Sequence, residues 1–320
     1  PSEYAPLTAR LLSQLIAQSF LPEHVTVVEG GAEEAKELLS QRWDHITFTG
    51  STNIGKIVAK AAAEHLTPTL LELGGKNPCV VDATAPIALS AKRIVWGKYV
   101  NCGQTCIAPD YLFVDEKIKD KLVSALKHEI TKAYGDDPAV SPSYGKIAHA
   151  KHFDRLVQQI KGSELLHGGK SDSQTLYLEP TILEIKDTNH PTMAEEIFGP
   201  ILPIISYTDE KEIEEIISQY EKPLGFYVFS KRKKFIQNLF QTFSFGGGVA
   251  NDSVIQFVND QLPFGGIGHS GMGAYHGKNS FDEYTHYKPV IKRGLWLDPS
   301  IRYAPFPETF GWLKKLLNLM

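Results

Sequence analysis

The chain has 320 residues, 33 Lys and Arg against 37 Asp and Glu, a formal net charge of −4, and 42% hydrophobic residues. This is ordinary globular composition, which excludes a disordered chain, and the charge gives no reason to expect a nucleic-acid or anionic-membrane partner. No apolar run reaches the roughly 20 residues that span a bilayer. The length allows about two domains. Three cysteines, Cys79, Cys102 and Cys106, form a sparse and odd set. They point to a reducing, cytoplasmic setting rather than a disulfide framework, and with no His or further Cys nearby in sequence no metal site is expected. The chain begins with Pro1 rather than Met, so it is expected to be a processed chain or a piece of a longer one.

In chain order, Thr8 to Phe20 predicts a helix with Leu11, Leu12, Leu15 and Ile16 on one face, and the β-branched run Val25–Val28 predicts a strand ended by Gly30 and Gly31. Helices are expected over Ala32–Gln41 and Asn53–His65, with strands at His45–Thr49 and Thr69–Leu73. After Gly74 and Gly75 the rhythm resumes: strand Cys79–Val81, helix Pro86–Asn101, strand Tyr111–Val114, helix Glu116–Tyr134, a Pro- and Asp-rich loop over Gly135–Gly145, and helix Ile147–Ile160. Strands at Ile201–Tyr207, Phe226–Phe229 and Gly248–Ala250 alternate with helices Asp209–Gln219 and Lys231–Gln241, the latter starting in a solvated Lys-Arg-Lys-Lys run. Gln261–Gly277 is glycine-rich and reads as loop, and Phe310–Met320 as a short amphipathic tail. Short apolar strands alternating with helices indicate βαβ units and parallel sheets. The domain boundary is expected at Gly74–Gly75.

Four stretches could carry chemistry. Phe48–Gly55 reads as strand, tight glycine turn and helix start, where free N–H groups and the helix dipole favour phosphate and Ser51 adds a hydroxyl; the same residues also suit an ordinary N-cap. Glu72 stands among leucines, where burial raises a carboxyl pKa and suits it as a general base for water, although a structural ion pair would explain it equally. Cys106, in Gly-Gln-Thr-Cys-Ile-Ala-Pro-Asp, can be a nucleophile or simply a small buried hydrophobe. Glu195 to Pro200 sets acids beside Phe198 at a Gly-Pro corner, so a carboxylate could hold ribose hydroxyls, or the segment is a solvated turn with Phe198 in the core.

Taken together, Pro1-Ser2-Glu3, Phe48-Thr49-Gly50-Ser51, Leu71-Glu72-Leu73-Gly74-Gly75-Lys76, Gly103-Gln104-Thr105-Cys106, Glu196-Ile197-Phe198-Gly199-Pro200 and Pro263-Phe264-Gly265-Gly266 resemble, in identity and order, the aldehyde dehydrogenase superfamily. Gln104–Tyr111 and Ser270–Lys278 are similar to its class 3 branch. The resemblance implies an α/β fold: the C-terminal part of a Rossmann-like, parallel-sheet NAD(P)-binding domain over 1–74, an α/β catalytic domain over 75–270, and a rim, oligomerisation and tail segment over 271–320. It implies NAD(P)-dependent oxidation of an aldehyde to the acid. Cys106 would form a thiohemiacetal and then a thioester, and Glu72 would activate the water that releases the product. Gly50, Ser51 and Gly55 would belong to the pyrophosphate turn, with Ile54 on the adenine. Glu3 would bind the adenosine ribose, Glu196 the nicotinamide ribose, and Phe198 would line the nicotinamide site. Asn251 would sit near the catalytic pair and His276 near the substrate mouth. NAD is the expected cofactor, since Glu3 would repel a ribose 2′-phosphate, with NADP as the alternative. A homodimer is implied.

Family members carry a long segment before the Pro-Ser-Glu motif, which would hold the rest of the cofactor domain and an oxyanion-hole Asn. A chain without it is expected to be impaired, since one oxyanion donor contributes about 10²–10³ in rate. Two readings from other classes compete: a cysteine-dependent esterase or acyl hydrolase working without hydride transfer, and a non-catalytic fragment used for binding or assembly.

Overall fold

The first 72 residues build two strands of a small three-stranded sheet, with helices beside them. Helix α1 (Pro6–Ser19) and α2 (Ala32–Leu39) precede β1 (Ile46–Thr49), α3 (Thr52–Glu64) and β2 (Thr69–Glu72). Strands β1 and β2 run parallel, joined by α3. The structure, a computed structural model, describes residues 1–296, 298–306, 311, 315, 317 and 318. Within them, Pro1–Tyr284 forms one compact unit and the remainder, from Thr285, a second.

The chain then crosses into a larger sheet. Its elements follow as β3 (Pro78–Val81), α4 (Ile87–Tyr99), β4 (Tyr111–Asp115), α5 (Lys119–Tyr134), α6 (Ala150–Ile160) and β5 (Glu164–His167). A small hairpin pairs β6 (Ser171–Asp172) with β7 (Tyr177–Leu178). After it come β8 (Thr181–Glu184), β9 (Ile201–Tyr207), α7 (Glu210–Ile217), β10 (Gly225–Phe229), α8 (Lys233–Thr242) and β11 (Gly247–Ala250). The strand order is β11-β10-β3-β4-β9-β8-β5, parallel throughout except for β5 at one edge. Strands β3, β9 and β10 are near-continuous apolar runs because both of their faces are covered. Ile94 and Val95 of α4 and Leu122 and Leu126 of α5 fill one side. Phe153 and Leu156 of α6, Ile213 and Ile217 of α7, and Phe235 and Leu239 of α8 fill the other. The passage between the two sheets falls at Gly74 and Gly75, between β2 and β3.

Several expectations are corrected. Val25–Val28 is not a strand: β-branching favours extended backbone, but β1 pairs only with β2, and no ladder reaches the run. Strands β5 to β8 were not foreseen, being only two to four residues each. The glycine-rich stretch holds a short strand, β12 (Gly271–Met272), antiparallel to β2, and is followed by helix α9 (Gly277–Glu283). Of the expected amphipathic tail, Phe310, Trp312–Lys314, Leu316, Leu319 and Met320 lie outside the described residues.

Candidate active site

Cys106 is delivered by an abrupt end to α4. Val100 leaves helical geometry, and Asn101 and Cys102 both adopt left-handed backbone, with φ of 51° and 58°. Gly103 follows at φ 72°, where a Cβ would stand 2.3 Å from the Gly199 carbonyl oxygen. Glycine is required there twice over, by conformation and by space. Gly103→Ala is therefore expected to lower the unfolding free energy by at least about 2 kcal/mol, measured by denaturant titration, since the left-handed conformation alone costs about 1–2.

Beyond the turn the loop is fixed from below. Asn77 donates to the carbonyls of Cys106 at 2.8 Å and Ala108 at 3.0 Å, and accepts from the Gly225 amide at 2.7 Å. Tyr227 donates its hydroxyl to the Ile107 carbonyl. Asp110 ion-pairs with Lys76, which also donates to the Thr192 and Glu195 carbonyls. The other Asp110 oxygen accepts from the Ile197 amide at 2.9 Å. The Cys106 loop and the Glu195–Gly199 segment are thus locked to one another.

Glu72 ends β2, where its carbonyl accepts from the Gly50 amide at 3.0 Å, so the phosphate-type turn and the carboxylate are adjacent by sheet register. Its side chain is 3% exposed and neither oxygen has a hydrogen-bond partner. Burial pushes its pKa up to about 7, and the Gly266 amide opposes this from outside bonding geometry. The half-buried Cys106 thiol is pushed up to about 11, by burial first and then by the charges of Glu196 and Glu72, so it holds its proton at neutral pH. Glu196 turns its carboxyl inward into the volume that a Cβ on Gly74 would occupy. Burial, then Asp110, raise it to about 8. Beneath them Lys98 is fully buried with no hydrogen-bond partner on Nζ, and burial lowers it to about 8. Cys106, Glu72 and Glu196 therefore share one electrostatic site.

The other expected site residues fall as follows. Ser51 caps α3, accepting from the Ile54 amide at 3.4 Å, with its hydroxyl hydrogen left available, while Gly50 and Ile54 are exposed. Gly55 is buried against Leu73, so its place is in packing helix on sheet. Glu3 is exposed and approaches Gly31. Phe198 is partly exposed with a left-handed φ of 49°. His276 lies among Phe257, Phe264 and Tyr275, and Phe264 packs in the cluster that touches Cys106. Asn251 spends its carboxamide on the Ser230 backbone and its carbonyl on Arg93. Sequence reasoning missed Asn77, Lys98 and Tyr275; the last is half-buried and feels both Glu72 and Cys106. Asn77 had one signal, its place directly after the Gly-Gly-Lys run. Among the described residues no cluster of His, Cys, Asp and Glu could hold a metal, and no helix is long and apolar enough to cross a membrane.

Residues 1–290 match the aldehyde dehydrogenase family model. Mouse "Aldehyde dehydrogenase family 3 member A2" is 45% identical over 320 residues, covering 99% of this chain and 66% of that protein. The "4,4'-diaponeurosporen-aldehyde dehydrogenase" of Staphylococcus aureus is 43% identical, covering 98% of this chain and 69% of its own. A solved structure described as the "Substrate bound state of Staphylococcus Aureus AldH" superimposes with a TM-score of 0.91 at 42% identity, over 99% of this chain and 70% of that one. The chain thus spans about two thirds of the relatives it matches. On the family model, the sequence identity and the shared fold, the chain belongs to the aldehyde dehydrogenase family.

Proposed function

We propose that this chain carries the nucleophile and the general base of an enzyme that oxidises an aldehyde to its carboxylic acid. The observation that carries the reading is the pairing of a half-buried thiol, Cys106, with a buried and unpartnered carboxyl, Glu72, whose pKa is held near 7. Residues 1–74 would hold part of the cofactor and residues 75–270 the chemistry.

The residues of the first sheet fit a dinucleotide. The N-terminus of α3, with Gly50 and Ser51 exposed, suits a pyrophosphate, and exposed Ile54 offers an apolar face to a base. Glu196 and Phe198 stand beside the Cys106 loop, where ribose hydroxyls and a planar ring would lie. A nicotinamide bound there supplies the hydride acceptor. NAD and NADP are both within this reading; one similar protein is named "Aldehyde dehydrogenase, dimeric NADP-preferring".

Because the resting thiol is protonated, attack on the aldehyde carbon must pass its proton to a neighbour. Glu72, ionised in about half the molecules at neutral pH, is suited to take it. The S–C bond forms and gives a thiohemiacetal on Cys106. Loss of hydride from that carbon, which a bound nicotinamide would accept, with loss of the hydroxyl proton to solvent, leaves a thioester. Once Glu72 has lost its proton to solvent, it draws one from water as the water adds to the thioester carbon. The C–S bond then breaks, the acid leaves, and Cys106 is returned. A homodimer in a reducing, cytoplasmic setting belongs to the same reading, supported by the name of that similar dimeric protein and by the three free cysteines.

The test is reduced-nicotinamide formation from a panel of aliphatic and aromatic aldehydes with NAD and NADP in turn. Formation of the acid in equal amount supports the reading. Hydrolysis of activated esters, with no reduced nicotinamide from any aldehyde, makes the protein a cysteine esterase instead.

A further inference from the structure

Helix α6 grips the Glu195–Phe198 segment residue by residue. Arg155 Nη1 donates to the Glu195 carboxylate at 2.8 Å and to the Glu196 carbonyl at 3.0 Å, and Nη2 donates to the Ile197 carbonyl at 2.6 Å. His152 Nε2 lies 2.7 Å from the Phe198 carbonyl, and His152 Nδ1 lies 3.2 Å from Arg155 Nη2. The two side chains are three residues apart and so share one helix face.

These partners fix the tautomer of His152. A carbonyl can only accept and a guanidinium can only donate, so the ring proton is on Nε2 and a lone pair faces Arg155 from Nδ1. A second proton, on Nδ1, would set N–H against N–H and cation against cation. The groups around the ring are Arg155, Glu195, the tilted Phe198 ring, and His149, which caps α6 by accepting from the His152 amide at 3.2 Å and is itself stacked by Tyr4. Burial, Arg155 and His149 disfavour the charged imidazole, while the Phe198 carbonyl and Glu195 favour it, with the balance downward.

What is gripped matters for the site. Phe198 is held at a left-handed φ, and the Gly199 carbonyl presses on Gly103 at the entrance to the Cys106 loop. We propose that Arg155 and His152 are positioning residues that fix where Glu196 and Phe198 stand relative to Cys106, and that the grip loosens when His152 takes up a second proton. This rests on the reading of Glu196 and Phe198 as cofactor contacts and deepens it.

The test measures amide-exchange protection of residues 195–199 and cofactor KM in the protein and in Arg155→Ala, Arg155→Lys and His152→Gln. Losing several charge-assisted hydrogen bonds should reduce protection and raise cofactor KM by about 10-fold or more in Arg155→Ala. Lys does not rescue, because an ammonium lacks the planar fork that reaches three oxygens. Protection in the parent falls as pH drops through the His152 ionisation. His152→Gln, which keeps an amide donor without titrating, removes that fall. Unchanged protection and KM in Arg155→Ala, or rescue by Lys, overturns the proposal. If the parent forms no reduced nicotinamide from any aldehyde, the cofactor reading is what fails, and protection alone decides the grip.

Discussion

Cys106→Ala is expected to cut aldehyde-dependent formation of reduced nicotinamide by at least about 10³-fold, since removing a covalent nucleophile leaves only binding and electrostatic terms. Binding of the nicotinamide cofactor, followed by calorimetry, should stay within about threefold, because the cofactor contacts proposed here come from other residues. The loop itself should survive. Its anchors are the carbonyls of Cys106 and Ala108 on Asn77 and the Ile197 amide on Asp110, none of which uses the sulfur. Alkylation should mark the same residue, with a rate that climbs through the alkaline range, because burial and two neighbouring carboxyls hold the thiol at about 11. A Cys106→Ala protein that keeps full turnover would remove the thioester from the mechanism.

Glu72→Gln should slow both halves of the reaction, since Glu72 takes the thiol proton in the first and a water proton in the second. Steady turnover should fall by about 10²–10⁴, the usual share of general-base catalysis, with no burst of reduced nicotinamide. In the parent, turnover should rise with pH through about 7 as the buried carboxyl ionises. Stability should move oppositely. The folded-state pKa lies above the ordinary value of 4.5, so the favourable neutral form is fully present below 4.5 and is lost as pH rises through about 7. Glu72→Gln, uncharged throughout, should therefore gain on the parent in chemical denaturation near pH 8 by on the order of 2–3 kcal/mol, and gain nothing near pH 4. Equal stability at both values would mean the carboxyl is not desolvated as described.

Most of the helices and the long strands were legible because their apolar periodicity or continuity is carried by many residues at once. Strand β9 and helix α5 needed nothing beyond local pattern. Val25–Val28 shows the limit: β-branching sets the backbone of a single run, but whether a strand exists depends on a partner elsewhere. The chemistry-bearing thiol and carboxyl were legible from their neighbours, leucines around one and a glycine turn before the other. The groups that fix them were not. Asn77 acts on Cys106 across 29 positions and Arg155 on Ile197 across 42, and neither distance leaves a trace in local composition. Asn251, which braces the Ser230 backbone, is ambiguous in sequence for a related reason, since a carboxamide suits an active site and a backbone brace equally well.

The link from Glu72 to Asn77 has a mechanical consequence. Glu72 closes one sheet, and Asn77, five positions on, clamps the nucleophile loop of the other. Five residues extend no further than roughly 17 Å, and Lys76 is nailed down midway by Asp110 and two carbonyls. Any shift of one sheet against the other would leave base and thiol on a leash that it cannot lengthen. Registration between the reacting groups is then a property of contour length, and mobility elsewhere in the molecule need not blur it.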